Sequence, residues 1–191
     1  MPKSFAPDVT IAATFQIEYL QFLDEHGKVV APLPAFANDP AALVSLYKAM
    51  MLMRTYDAKA IALQRTGQLG TYASLLGKEA VDAGVGTAME KDDVFLCTYR
   101  ENGVQILRGV TMRELLQYWG GDERGSDFAG PRKDFPVCIT IASQCLHAVG
   151  VAYAMKLRKQ SRAAVCMCGD GATSKGDFYE SINAAGVWRL P

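Results

Sequence analysis

A single carboxylate between two glycines, Gly169-Asp170-Gly171, is the part of this sequence best suited to chemistry. The apolar run Ala163 to Cys168 precedes it and a helical pattern follows it. This arrangement predicts an apolar strand, a tight open turn and then a helix. The first backbone N–H groups of a helix can bind an anion, and Mg²⁺ prefers one or two carboxylates together with phosphate oxygens. The string therefore predicts a site for a diphosphate bridged by Mg²⁺.

Two further predicted strands end in residues that could join Asp170. The strand Asp93 to Thr98 is followed directly by Tyr99-Arg100, a hydroxyl and a guanidinium suited to phosphate. The predicted strand Val137 to Ile141 offers backbone groups and a bulky apolar side chain at its end. Because ligands gather at the carboxyl ends of parallel strands, we expect one site for a diphosphate cofactor with an aromatic ring system. Each feature alone has an ordinary explanation: a common turn, a surface charge and a core residue.

Helical patterns separate these strands. The patterns predict five helices: Asp39-Pro40 to Gly67, Lys78 to Met89, Thr111 to Trp119, Gln144 to Lys159 and Asp177 to Val187. Asp39-Pro40 is typical of a helix start, and Thr111-Met112-Arg113-Glu114 has the spacing of a capping box. The apolar face of the fourth helix is expected to contain Leu146, Val149, Tyr153 and Leu157.

The alternation of strands and helices predicts an α/β fold with a mainly parallel sheet flanked by helices. Residues 1–38 are interpreted as an extended N-terminal arm, and residues 39–191 as an α/β domain that is incomplete at its C-terminus. Leu190-Pro191 is expected to lead into a further strand. The polar stretch Gly120 to Pro136 is either a mobile loop or an ordered lid over a site.

Composition excludes several classes of function. Half of the 191 residues are hydrophobic, 21% are charged and the formal net charge is +0, so nucleic acid and anionic membrane are not expected as partners. No apolar stretch approaches membrane-spanning length and the N-terminus has no apolar signal core, which predicts a cytoplasmic protein. The five cysteines are interpreted as reduced thiols, and Cys166 and Cys168 as buried structural cysteines rather than zinc ligands. His26 and His147 are interpreted as structural or surface histidines.

Five strings of the sequence carry a resemblance that covers nearly the whole chain: TFQIEYL, GQLGTYASLLGKEA, CTYRENG, QCLHAVGVAYAMK and GDGATSKGDFYESINAAGVWRLP. Through them the chain resembles the first half of the alpha subunits of thiamine-diphosphate-dependent 2-oxoacid dehydrogenases, above all those acting on pyruvate. The last string is the most specific, since the family's cofactor motif opens with Gly-Asp-Gly. That motif closes with Asn-Asn, which would fall just beyond Pro191. The resemblance implies the family's thiamine-diphosphate-binding fold.

The resemblance implies a set of cofactor-binding positions. Tyr99 and Arg100 match a pair that grips the diphosphate. Ile141 matches the bulky residue beneath the cofactor, and Ile139 matches a position whose backbone meets the aminopyrimidine. Lys78 stands where relatives often carry Gln.

The Gly-Asp-Gly string carries the remaining positions. Gly169 opens the motif and Asp170 matches the Mg²⁺ ligand. Gly171 and Ala172 match positions whose amides lie near the diphosphate and the metal. The resemblance nominates no catalytic residue in this chain, because the family's activating glutamate belongs to a beta subunit. The family's second Mg²⁺ ligand, an Asn, and a later histidine loop are missing from the sequence.

The function implied by the resemblance is decarboxylation of pyruvate, followed by transfer of the acetyl group to a lipoyl-bearing acyltransferase component. Thiamine diphosphate and Mg²⁺ are the implied cofactors, and a beta subunit in an α2β2 tetramer is the implied partner. Branched-chain 2-oxoacids or acetoin are alternative substrates. A non-catalytic assembly module is the alternative from a different class. A P-loop or dinucleotide site is excluded, because neither glycine motif is present.

Overall fold

The computed structural model describes residues 11–191, so the first ten residues of the predicted arm lie outside the described part. The described residues fall into two compact units, one ending at Pro40 and the other spanning Ala41–Pro191. The first unit has an antiparallel bridge between Leu23 and Val29 and a 3₁₀ turn at Ala35–Asn38. The second unit carries nearly all of the regular structure.

Six α-helices and two strands follow one another along the described chain: α1 (Pro40–Arg65), α2 (Glu79–Ala88), β1 (Val94–Leu96), α3 (Asn102–Leu107), α4 (Met112–Trp119), α5 (Ser143–Leu157), β2 (Ala164–Cys166) and α6 (Gly176–Trp188). The five helices predicted from the sequence are confirmed. The short helix α3 was not predicted, because it is less than two turns long and its residues are buried. None of the helices between residues 11 and 191 has the length and apolar character needed to cross a membrane.

The predicted capping box at the start of α4 is confirmed. The Thr111 hydroxyl accepts a hydrogen bond from the Glu114 backbone N–H at 3.2 Å, and the Glu114 carboxylate accepts one from the Thr111 N–H at 2.7 Å. The Thr111 hydroxyl also donates to the Glu114 carboxylate at 2.7 Å, and this bond, followed by one from the Ala129 N–H, lowers the pKa of the Glu114 carboxyl. The capping box therefore fixes the N-terminus of α4 at Thr111.

We expect Thr111→Ala to lower the free energy of unfolding by about 1 kcal/mol, because the helix loses its N-cap acceptor. The measurement is urea denaturation of the full-length protein, followed by circular dichroism. Thr55→Ala is the matched control, because the exposed Thr55 hydroxyl bonds only to the Met51 carbonyl within α1; its effect should stay within about 0.5 kcal/mol. Equal effects of the two substitutions would contradict a capping role for Thr111.

The sheet within residues 11–191 consists of β1 and β2, which pair in parallel with Phe95 opposite Val165. The protein is thus a mostly helical α/β structure with a smaller sheet than predicted. The third predicted strand, Val137 to Ile141, is wrong: this segment pairs with no strand among the described residues, and it ends in a bend at Thr140 and a turn at Ile141.

The other edge of β1 explains the missing strand. The Phe95 N–H donates to the Asp134 carboxylate at 3.0 Å, and the Phe95 carbonyl accepts from the Phe135 N–H at 2.9 Å. The Asp134 side chain is itself held by the buried guanidinium of Arg108. A side chain therefore occupies the place where a neighbouring strand would offer its carbonyl, and the chain leaves the sheet after Phe135.

Helix α5 buries a different face from the one predicted. Leu146, Tyr153 and Leu157 are 43%, 41% and 66% exposed, and Val149 is only half-buried. Apolar residues occur on more than one face of this helix, so periodicity alone could not select the buried one. The sheet takes the face with smaller side chains, which lets the helix lie close to β1 and β2. The buried residues of α5 are Gln144, Cys145, Ala148, Ala152 and Met155.

The polar stretch Gly120 to Pro136 packs against other residues of the second unit. Phe128 is buried in the main hydrophobic cluster with Leu115 and Trp119 of α4, and a 3₁₀ turn spans Glu123–Ser126. These contacts favour the ordered alternative. The stretch contributes no residue to the cleft at the ends of the strands.

Candidate functional site

A cleft of about 440 Å³ lies where β1 and β2 end. The loop after β1 supplies Tyr99 and Arg100, the turn after β2 supplies residues 169–172, and Ile141 comes from the segment before α5. The three loops singled out from the sequence therefore do come together. Although Val137 to Ile141 is not a strand, Ile141 still reaches the cleft and is 39% exposed.

Ile139 is the one predicted site residue that does not line this cleft. Its side chain is 60% exposed and borders a separate cavity of about 330 Å³ beside Tyr118 and Trp119. Its predicted contact was through the backbone, and that contact stays a prediction.

The turn at Asp170 is anchored at its far side and open toward the cleft. Ala172 is 2% exposed and packs against Ala142 and Cys145. Its N–H donates to the Gly169 carbonyl at 3.0 Å, and the Thr173 hydroxyl donates to the Asp170 carbonyl at 2.6 Å. Within residues 11–191 the exposed Asp170 carboxylate has no hydrogen-bond or ion-pair partner. It is therefore available to a cation.

The two glycines of the turn leave room for a close approach of a ligand. A Cβ added at Gly169 or at Gly171 would meet no atom within 4 Å. Packing within the described residues thus requires neither glycine. Their backbone amides border the cleft beside Asp170, as the binding of an anion together with a metal requires.

Arg100 is held on the opposite side of the cleft by one hydrogen bond of its side chain. Its Nη1 donates to the Ser74 carbonyl at 2.7 Å, and its guanidinium lies 5.2 Å from the centre of the Tyr99 ring. A guanidinium has five N–H donors, so most of them are left for a ligand. Ser74 belongs to the glycine-rich segment 67–77, which sequence reasoning did not connect to the site.

Sequence reasoning also missed four polar residues of the cleft, Lys78, Thr98, Glu101 and Gln144. The Lys78 ammonium lies 2.8 Å from Asp82 Oδ1 and 3.1 Å from Glu101 Oε1. Burial raises the pKa of the Asp82 carboxyl, and the nearby Lys78 ammonium opposes that shift. In the sequence, the only signal for this cluster of Lys78, Asp82 and Glu101 was that position 78 is Lys where relatives often carry Gln.

Gln144 lies at the start of α5 and is 2% exposed. Its Nε2 donates to the Met167 carbonyl at 2.9 Å, whereas its buried Oε1 has no partner among the described residues. A buried oxygen without a donor at the wall of a cleft is an acceptor that a ligand can satisfy. No sequence pattern marks this residue, because a polar side chain near a helix start is common.

The cysteines near the cleft are not suited to nucleophilic chemistry. All five cysteines are free. Burial raises the pKa of the Cys168 thiol at the cleft margin, and more strongly that of the Cys166 thiol. Both thiols therefore stay protonated near neutral pH, and reactive cysteines have the opposite shift.

The residues present fit a Mg²⁺-bound diphosphate group. The cleft combines one unpartnered carboxylate, one guanidinium with donors to spare, open glycine amides and an apolar side chain. Within the described part of the chain, no three His, Cys, Asp or Glu side chains form a complete metal site. Asp170 would thus be one ligand of an ion that is held mainly by phosphate oxygens, as is usual for Mg²⁺.

Comparison with known proteins identifies the family. The family described as "Dehydrogenase E1 component" matches residues 47–191. The chain is 36% identical over 167 residues to the "Pyruvate dehydrogenase E1 component subunit alpha" of Mycoplasma genitalium, covering 87% of this chain and 47% of that protein. The protein of the same name from Acholeplasma laidlawii is 38% identical, and the match covers 88% of this chain and 49% of that protein. The one from Staphylococcus aureus strain Mu50 is 35% identical, and the match covers 92% of this chain and 48% of that protein. The chain therefore spans about half the length of the curated relatives it matches.

Proposed function

Since the chain belongs to the dehydrogenase E1 component family, we propose that it is the alpha-type component of a pyruvate dehydrogenase and binds thiamine diphosphate and Mg²⁺ in the cleft at the ends of β1 and β2. The observation that carries this proposal is the meeting of Arg100, Ile141 and the Asp170 turn in one cleft. The names of the relatives support pyruvate as the substrate. The finer assignment of the fold as the family's thiamine-diphosphate-binding fold belongs to the same proposal.

Each residue has a role that its surroundings support. The Asp170 carboxylate binds Mg²⁺, while the open amide of Gly171 and the Arg100 guanidinium bind the diphosphate; the Ala172 amide holds the turn through the Gly169 carbonyl. Tyr99 supports the guanidinium through its ring face, and Ile141 gives the rings an apolar surface. When bound, thiamine diphosphate supplies the electron sink that decarboxylation of a 2-oxoacid requires. This chain binds and orients the cofactor.

The proposal includes partners. The relatives are described as the alpha subunit of a component, which supports a beta subunit as partner. Assembly as an α2β2 tetramer and transfer of the acetyl group to a lipoyl-bearing acyltransferase are further parts of the proposal. The glutamate that activates the cofactor is assigned to the beta subunit, so no catalytic residue is proposed in this chain. A cytoplasmic location stays a prediction of the same proposal.

The test uses the full-length protein with the subunits that copurify with it. Binding of thiamine diphosphate is measured by titration calorimetry with and without Mg²⁺. Oxidation of pyruvate is followed with an artificial electron acceptor, beside branched-chain 2-oxoacids and acetoin. Mg²⁺-dependent binding and preference for pyruvate support the proposal. Preference for another substrate changes the assigned substrate and leaves the rest of the proposal in place. Absence of thiamine diphosphate binding overturns the proposal in favour of a non-catalytic assembly role.

We expect Arg100→Ala to weaken the binding of thiamine diphosphate by about 1.5–3 kcal/mol, because a charge-assisted contact to the diphosphate is lost. This corresponds to a rise in Kd of roughly 10- to 150-fold, measured by calorimetry at fixed Mg²⁺. Arg65→Ala is the control, since Arg65 is an exposed cation at the end of α1. A loss of thermal stability without a change in Kd would mean that Arg100 is structural.

A further inference from the structure

The loop that carries Tyr99 and Arg100 is closed by a buried carboxylate. Glu101 is 2% exposed. Its Oε2 accepts hydrogen bonds from the Thr98 backbone N–H and from the Thr98 hydroxyl, both at 2.6 Å. The Thr98 hydroxyl in turn accepts a hydrogen bond from the Arg100 N–H at 3.3 Å. The backbone that sets the direction of Arg100 is thus tied to one side-chain oxygen of Glu101.

The second oxygen of that carboxylate is held by Lys78. Lys78 precedes α2, and its ammonium contacts both Glu101 and Asp82. The Glu101 side chain is 3% exposed and the Asp82 side chain is 0% exposed, whereas the Lys78 side chain is 26% exposed. Within residues 11–191, no other cation lies within ion-pair distance of either carboxylate. Lys78 therefore compensates two buried negative charges at once.

Removal of the ammonium would change the position of Glu101. Asp82 and Glu101 are buried carboxylates that contact the same ammonium, so their like charges repel each other once it is removed. A buried ion pair that loses one partner leaves an uncompensated charge, which is strongly unfavourable. Glu101 can reduce this cost by turning toward solvent, and its bonds to Thr98 are then lost.

We propose that Lys78 is a positioning residue for cofactor binding: it holds Glu101, and Glu101 fixes the turn that places Arg100 in the cleft. The proposal rests on the proposed function, since it assigns Arg100 to the diphosphate. Two observations favour this indirect role over direct contact with the ligand. The Lys78 ammonium already donates a hydrogen bond to Asp82 and pairs with Glu101, and the Arg100 side chain is exposed with one hydrogen bond of its own.

A double-mutant cycle separates an indirect role from a direct one. The Kd of thiamine diphosphate at fixed Mg²⁺ is measured for the full-length protein, K78Q, R100A and K78Q/R100A. We expect K78Q alone to raise the Kd about tenfold, and to add less than about twofold once Arg100 has been removed, because coupled residues are not additive. A tenfold effect of K78Q that persists in the R100A background would overturn the proposal and indicate direct contact. No effect of K78Q alone would overturn it as well.

The controls address charge and folding. Lys48→Gln makes the same change at an exposed position of α1 and should leave the Kd unaltered. K78R keeps the charge and should restore binding to within about threefold of the original protein. If K78Q does not fold, Glu101→Gln replaces it in the cycle. In that variant Lys78 still pairs with Asp82, so no buried charge is left without a partner. The same loss and the same non-additivity with R100A are expected.

A measurement without ligand distinguishes failure of this inference from failure of the proposed function. Amide hydrogen exchange of the cofactor-free protein should be faster in K78Q for residues 98–102, and unchanged for β2. If the unsubstituted protein does not bind thiamine diphosphate, the proposed function fails while faster exchange still supports the role of Lys78 in the turn. If binding is normal and exchange at residues 98–102 is unaltered in K78Q, the inference alone is overturned.

Discussion

Replacement of Asp170 by alanine should abolish Mg²⁺-dependent binding of thiamine diphosphate. The Asp170 carboxylate is exposed at the cleft and has no partner within residues 11–191, so its removal costs no internal contact. Loss of a residue that supports a metal ligand already costs about 10- to 100-fold in metal affinity. We therefore expect Asp170→Ala, which removes the ligand itself, to cost at least about 100-fold. Calorimetric titration of the full-length, assembled protein measures both the affinity and its dependence on Mg²⁺.

Two variants make the result specific. Asp170→Asn keeps an oxygen but loses the charge, and should bind more weakly than the original protein and more tightly than Asp170→Ala. Asp177→Ala removes a nearby carboxylate that pairs with Lys175 and does not line the cleft, and it should leave the Kd unaltered. The thermal stability of the cofactor-free protein should be the same for Asp170→Ala as for the original protein. An unaltered affinity of Asp170→Ala would reject Asp170 as a metal ligand.

Replacement of Asp57 by alanine should have the largest effect on stability. Asp57 is 3% exposed in α1 and accepts hydrogen bonds from the Tyr72 hydroxyl at 2.8 Å, the Ser74 hydroxyl at 2.7 Å and the Leu75 N–H at 2.8 Å. Burial, with a further contribution from Asp57, raises the pKa of Tyr72, so this hydroxyl stays a donor. Each donor left without its charged partner costs about 1–3 kcal/mol. With three such donors, we expect a total loss of at least about 3 kcal/mol of unfolding free energy.

Denaturation of the full-length protein in guanidinium chloride measures this loss. Asp127→Ala is the matched control, because its carboxylate pairs with Arg132 while its side chain is 75% exposed, and surface pairs of this kind contribute about 0–1 kcal/mol. Tyr72→Phe should cost about 1 kcal/mol, as one donor is removed. Since the Ser74 carbonyl holds Arg100, Asp57→Ala should also weaken the binding of thiamine diphosphate. Similar losses for Asp57→Ala and Asp127→Ala would contradict the role of Asp57 as an anchor.

The sequence by itself determined the features that depend on neighbouring residues. Helix starts at Pro40 and Thr111, the two paired strands and the glycine turn at Asp170 follow from local propensity, capping and periodicity. The meeting of Tyr99, Arg100 and Asp170 was also predicted, because residues at the carboxyl ends of adjacent parallel strands share one edge. The family resemblance is confirmed by the match over residues 47–191. The individual roles of the cofactor-binding residues stay predictions.

Only the tertiary structure decided the features that depend on residues far apart in the chain. Asp134 occupies the edge of β1 at Phe95, and thereby prevents the predicted strand Val137 to Ile141. The buried face of α5 was selected by the fit of small side chains against the strands, which periodicity does not measure.

The supports of the cleft have the same origin. Lys78 meets Glu101, and Asp57 meets the segment that holds Arg100. Nothing in the local sequence marks these side chains as partners, because a buried charge is stabilised by whichever opposite charge or donor the fold brings to it. Local patterns therefore predicted which residues could bind a cofactor, whereas the packing of the chain decided which residues hold them in place.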